Sequence, residues 1–223
     1  MKSIFCFGFV FFSSLIFAQT SYKISYEKYS NGTLIENQDP VFVFTNEKVT
    51  QVIAKSVLEN SALFPSEYFL VNRNNLHIIQ EARLDANRSI QTIDSASLNK
   101  QTFEFLPETK KILGYTCKKA KTIINSNTLE IWYTQDLKVA GSPSTLGQKL
   151  GLVLEINRNG NNITLAHKIE KIKTIPLMNA AYEKSKGIDM LTYRDLVWKS
   201  RFTTLPVFKE EVICFSSESK SND

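Results

Sequence analysis

Tyr22, Ile24 and Tyr26 alternate with Lys23, Ser25 and Glu27. Successive side chains of an extended strand point to opposite faces, so this period of two predicts a strand with one buried face. The pattern recurs. "PVFVFTNEKVTQVIAK" reads as two strands around "TNEK", "EYFLVNRNNLHIIQEARL" as two around "NRNN", and "RSIQTIDSASL" as a weaker one. The segment "KQTFEFLPETKKILGYTCKKAKTIINSNTLEIWYTQDL" carries the alternating pairs Phe103/Phe105, Tyr115/Cys117 and Ile131/Tyr133. Its turns are read at "PETK" and "NSNT". "LGLVLEINRNGNNITLAHKIEKIKTI" predicts a hairpin turning at Asn159-Gly160, with Leu152, Leu154 and Ile156 on the core side. Asn-Gly is the pair that tolerates the positive φ of a tight turn. The second arm is long, and long twisted arms curl.

Helical periodicity is scarce. "MLTYRDLVWKSRF" is the best candidate, with Thr192 as its cap and Asp195 three residues on. "TQVIAKSVLENSALF" can be read as helical from Val52 instead of as strand. Together these patterns predict one mainly β domain over residues 19–215. The expected architecture is a curved antiparallel sheet or half-barrel with one or two short helices, and the polar tail 216–223 is expected to be disordered.

The N-terminus changes the picture by placing the protein. Lys2, an apolar run from Ile4 to Phe17 and then Ala18-Gln19 have the form of a secretory signal peptide, residues 1–18. The run is too short to span a bilayer, and no later segment is long and apolar enough to do so. An exported protein of the periplasm, outer-membrane periphery or exterior is expected. The net charge of +5 is spread among alternating acids and bases. Nucleic-acid binding calls for clustered cations on a known module, and none is visible.

Candidate chemistry is thin. His77 and His167 are the only histidines, and no metal-ligand spacing includes them. No Gly-x-Ser-x-Gly elbow appears, and the glycines of "GSPSTLGQKLG" lack the Lys-Ser/Thr of a phosphate loop. Glu27, Asp39, Glu104, Glu130 and Glu155 show no spacing that speaks for acid–base work. No cofactor and no catalytic residue is assigned. Cys117 and Cys214 remain after signal removal. In an exported chain they can bridge, closing a loop of roughly a hundred residues worth about 4–5 kcal/mol, or stay as buried thiols. Alternation from Tyr115 places Cys117 on a core face, away from the basic, exposed setting of a reactive thiolate.

"ETKKILGYTCKKAKT", "LEIWYTQDL" and "LGLVLEI" resemble the GLPGLI family of secreted Bacteroidetes proteins. The pattern falls on Glu108-Thr109-Lys110, on Gly114, Tyr115, Cys117 and Ala120, on Trp132, Tyr133 and Thr134, and on Gly151 to Ile156 including Glu155. Gln148, Lys149 and Leu150 stand where that motif has Gly, Leu and Pro, which makes the chain a divergent member. The tripeptide Asp94-Ser95-Ala96 looks like a short O-glycosylation site of the same bacteria. The resemblance implies a fold similar to periplasmic lipoprotein carriers and no enzymatic activity.

The expectation that follows is a non-enzymatic envelope protein. Its curved sheet would bind a lipid-like or peptide ligand, or a partner protein of the envelope. The alternative is a hydrolase or thiol enzyme with dispersed catalytic residues, whose mark would be a cleft with Cys117 or His167 beside a carboxylate. Strand addition at an exposed sheet edge is a third mode.

Overall fold

The computed structural model describes residues 20–178, 183 and 187–203. The signal segment 1–18, Cys214 and the tail 216–223 lie outside the described residues. Twelve strands form one antiparallel sheet. In chain order they are β1 (Ser21–Ser30), β2 (Thr33–Leu34), β3 (Val41–Thr45), β4 (Val49–Ala54), β5 (Ser66–Asn72), β6 (His77–Arg83), β7 (Ser89–Asp94), β8 (Glu104–Ile112), β9 (Tyr115–Ile124), β10 (Asn127–Thr134), β11 (Leu152–Arg158) and β12 (Asn162–Ile172). The spatial order is β7-β6-β5-β4-β3-β1-β12-β11-β10-β9-β8, with β2 hairpinned onto β1. Two meanders are thus joined where β1 pairs with β12 from Ser21↔Ile172 to Ser30↔Asn162. The sheet does not close, so β7 and β8 are its edges.

The turns follow residue chemistry. Asn31-Gly32, Leu113-Gly114 and Asn125-Ser126 hold positive φ at both positions, as two-residue hairpins require, and Asn159-Gly160 hold it within the three-residue loop 159–161. "PETK" is not a turn. β8 runs straight through it and turns at Leu113-Gly114. Pro107 fits because β8 is an edge strand and its register slips between Leu106 and Thr109, where no ladder bond is asked of the proline.

Helix contributes three short pieces among the described residues: α1 (Lys55–Leu58), α2 (Ser97–Lys100) and α3 (Met190–Thr203). The segment open to either reading splits, with β4 ending at Ala54 before α1. α3 starts earlier than its predicted cap. Asp189 caps it, its Oδ1 accepting from the amides of Leu191 at 2.9 Å and Thr192 at 3.0 Å. Those bonds, led by the Thr192 hydroxyl, hold the Asp189 carboxyl below its usual pKa. α3 buries Tyr193 and Val197 against Ala82, Leu84 and Ile90 of the β6–β7 hairpin region. No helix among the described residues is long and apolar enough to cross a membrane. That statement concerns helices only.

Ile156 corrects the expected facing of β11. Leu152 and Leu154 are buried with Trp132 and Cys117, whereas Ile156 packs with Ile131, Tyr133 and Val153. A register shift explains this: Trp132 pairs with Glu155 but Tyr133 pairs with Val153, so one extra residue bulges at Leu154. One inserted residue moves everything beyond it to the other face. β11 is buried on both faces, from Leu152 to Ile156.

Candidate functional site

Most of the residues singled out by motif come together, and their neighbourhood is structural. On one face of β8–β11, Cys117, Trp132, Leu152 and Leu154 share a cluster. Cross-strand register puts Lys110 opposite Cys117, Lys119 opposite Trp132, and Trp132 opposite Glu155. Lys110 Nζ donates to Glu155 Oε2 at 2.6 Å and lies 4.4 Å from the Trp132 ring centroid. Lys119 covers the same ring and pairs with Glu130 at 2.8 Å. The two lysine stems roof the indole, which leaves Trp132 buried. Lys119 therefore sits mid-strand and paired. Tyr133 points to the opposite face, against Leu150 and Val153. Gly114 makes the β8–β9 turn, and Tyr115 is half-buried beside it.

Cys117 is a fully buried thiol whose Sγ faces the Tyr115 carbonyl at 3.7 Å. Burial pushes its pKa up to about 11. A protonated, enclosed thiol is not a nucleophile. Glu155 is buried and held by Lys110. His77 is a lone half-buried residue at the start of β6. His167 is the histidine with a carboxylate: its Nδ1 lies 3.7 Å from Glu27 Oε1, while the Tyr29 hydroxyl donates to Glu27 Oε2 at 2.9 Å. His167 owes its position to the β1–β12 bulge between Ser25 and Tyr26. This trio is half-exposed on a strand surface, where Tyr29 also borders a groove of about 700 Å3 and Glu27 a smaller hollow. Among the described residues no group of His, Cys, Asp and Glu can hold a metal ion. Ser95 is exposed, and Asp94 beside it caps the turn into α2 through the amides of Ala96 and Ser97.

The face of the sheet opposite Trp132 carries the larger site. Between β10 and β11 the chain crosses this side as residues 135–151 and returns. Arg73 fixes the crossing. Its guanidinium donates to Thr50 Oγ1 at 2.6 Å, to the Ala140 carbonyl at 2.6 Å, to Gln148 Oε1 at 2.9 Å and to the Gln148 carbonyl. These acceptors are all uncharged, and loss of water lowers the Arg73 pKa to about 10. Gln101, just after α2, grips the same segment through Thr145 O and Gly147 N. The crossing thus ties one meander to the other.

Beside it opens a groove of about 700 Å3. Val41, Leu129, Leu146 and Ile156 form an apolar floor, and Lys28, Gln38, Asn127, Arg158, Asn162 and Thr164 supply polar groups around it. The register explains why they converge. Lys28 pairs with Thr164, Thr164 with Ile156, Asn162 with Arg158, and Arg158 with Leu129. Residues two apart share a face, so the alternation of four adjacent strands projects these side chains to one side. A second groove of about 320 Å3, lined by Tyr68, Phe69 and Tyr193, adjoins it across Pro143 and Val41. A floor of aliphatics rimmed by amides, hydroxyls and cations suits a neutral-to-anionic polar ligand with a nonpolar face, of which an oligosaccharide is one. None of these rim residues stood out in the sequence. Their signal is the cross-strand register, which a single sequence does not print.

The family model described as "N-glycanase peptide, N-terminal domain" matches residues 24–195. Solved structures of PNGF-II match along the chain. The structure of PNGF-II in a C2 space group is 44% identical with a TM-score of 0.76, covering 91% of this chain and 37% of that one. The structure of PNGF-II in a P21 space group is 44% identical with a TM-score of 0.77, covering 91% and 38%. The chain therefore spans a little over a third of the length of the PNGF-II chains. No curated protein matches it.

These matches correct three expectations. The GLPGLI resemblance is not upheld, because the matched family spans residues 24–195, whereas the motif residues cover a short stretch. Those residues mislead for a physical reason. A hairpin turn before a half-buried strand, and a glycine before a strand buried on both faces, are demands of any such sheet. The reading as a non-enzymatic envelope protein falls with the resemblance, and so does the absence of enzymatic function. The family is named for a hydrolytic enzyme, and the hydrolase alternative fits it.

Proposed function

The chain belongs to the family of N-glycanase N-terminal domains, and on that premise we propose that it acts in the hydrolytic release of N-linked oligosaccharides. The observation carrying this reading is 44% identity along 91% of the chain to PNGF-II. In such a reaction water adds to the side-chain amide of a glycosylated asparagine. The C–N bond breaks, leaving aspartate on the peptide and a glycosylamine on the sugar. Within this reaction the concave groove receives the oligosaccharide. Its rim offers the amide, hydroxyl and cationic groups that sugar hydroxyls bond, and its aliphatic floor suits the C–H face of a pyranose. An exported site of action agrees with the signal-type segment 1–18 and with N-glycans being carried by surface and secreted proteins.

The test is glycan release from an N-glycosylated protein, read by chromatography of fluorescently labelled sugars. Release is expected for the full chain. Leu129→Arg, which fills the groove floor, is expected to slow it at least about tenfold, on the order of 1.4 kcal/mol in transition-state binding. No release by the full chain would end this reading.

A further inference from the structure

The groove's charge is one-sided. Lys28 and Arg158 line it, and no Asp or Glu does. Neither cation makes an ion pair with another described residue. Of the nearby carboxylates, Glu36 lines the smaller hollow that shares Lys28, Ile35 and Gln38 with the groove, and the others are committed elsewhere. Glu27 alternates to the other face of β1, where Tyr29 and His167 hold it. Glu130 is opposite in parity to Leu129 and pairs with Lys119. Asp39 accepts from the amide and hydroxyl of Ser56. Two cations lining a groove whose own walls carry no carboxylate favour an anion placed between them.

The spacing suits one anion. Lys28 and Arg158 belong to β1 and β11, which flank β12, and their partners Thr164 and Asn162 lie two residues apart on it. Strand spacing and rise put their Cα atoms about 12 Å apart, on the same face. Two long side chains can span that separation to a small anion, with Thr164 lining the groove between them. Arginine adds a planar fork matched to a carboxylate.

We propose that this end of the groove is a subsite for a carboxylate-bearing sugar, so that sialylated oligosaccharides are held more tightly than neutral ones. The inference rests on the groove as the place of the oligosaccharide. It adds the substrate class, and it names Lys28 and Arg158 as the residues that set it. A free inorganic anion shares the charge but lacks the pyranose that the aliphatic floor covers, so it occupies the subsite only weakly.

The test titrates the full chain with 3′-sialyllactose, lactose and sodium phosphate at low ionic strength, followed by NMR or calorimetry. Binding of sialyllactose about tenfold tighter than lactose is expected, with phosphate weaker than sialyllactose. Raising the salt to about 0.5 M should close most of the gap, because screening acts on an exposed pair. Lys28→Gln and Arg158→Gln should each bring sialyllactose down toward lactose, while Lys168→Gln, on an exposed stretch of β12, should change nothing. Equal affinity for the two trisaccharide and disaccharide probes, a preference unmoved by either groove variant, or phosphate binding as tightly as sialyllactose would overturn the proposal. Glycan release without any sialyl preference would sink this subsite and leave the hydrolytic reading standing. Sialyl preference without glycan release would do the reverse.

Discussion

Gly151 sets the path of the chain where the crossing segment rejoins the sheet. Its φ is +138°, and a Cβ there would stand 2.5 Å from the Thr134 carbonyl oxygen. Backbone cannot step aside as a side chain can. Gly151→Ala is expected to lower stability by about 2–3 kcal/mol, measured by urea unfolding. Cys117 carries a second consequence. The thiol ionises from about 9 when unfolded but only at about 11 when folded. Its contribution to stability is therefore complete below pH 9 and is lost as pH rises to 11, because the unfolded chain releases the proton first. The loss is on the order of 2 kcal/mol. Wild-type protein should lose stability across that window more steeply than Cys117→Ala, and a parallel decline in both would contradict the assignment. The burial of Cys117 was legible in the sequence, since alternation from Tyr115 alone puts it on a core face. The Lys110–Glu155 pair was not, because the bulge that brings Glu155 to face Trp132 leaves no mark in the alternation.

The strands were the legible elements. Asn-Gly and Asn-Ser pairs give away their hairpins through the φ values they tolerate. "PETK" misled because proline and charge signal a turn, whereas an edge strand with a slipped register accepts both. The cap of α3 was missed by three residues, since Asp189 and Thr192 are both good caps and only the fold decides between them. The crossing segment 135–151 was read as an irregular loop, with no hint that Arg73 seizes it from beyond β5. That clamp gives an element-scale prediction. Arg73→Met removes all its donors and frees Gln148, while the Ala140 carbonyl keeps the Thr45 and Thr50 hydroxyls. Hydrogen exchange over residues 136–150 should accelerate at least about tenfold while β5 and β6 stay protected. Unchanged exchange in that segment would show that Gln101 and the parallel bridge from Gly141 to Leu152 suffice.

A mainly β chain with an antiparallel sheet follows from alternation and turns, and the described residues have that form. The family does not follow from them. Some sixty residues of strand-and-turn pattern fit more than one family, and only the match along residues 24–195 discriminates. The groove was equally hidden, because Lys28, Leu129, Ile156, Arg158 and Asn162 meet only once β1, β12, β11 and β10 pair in register. The claim that matters most at this scale is amide hydrolysis, and one measurement reaches it directly. A defined N-glycopeptide is incubated with the full chain in water enriched in oxygen-18, and the peptide product is weighed by mass spectrometry. Amide cleavage leaves an aspartate carrying one heavy oxygen and no sugar. A peptide that keeps its first N-acetylglucosamine on asparagine would mean cleavage between sugars, and an unaltered glycopeptide would mean no hydrolysis. Either of those results contradicts the account.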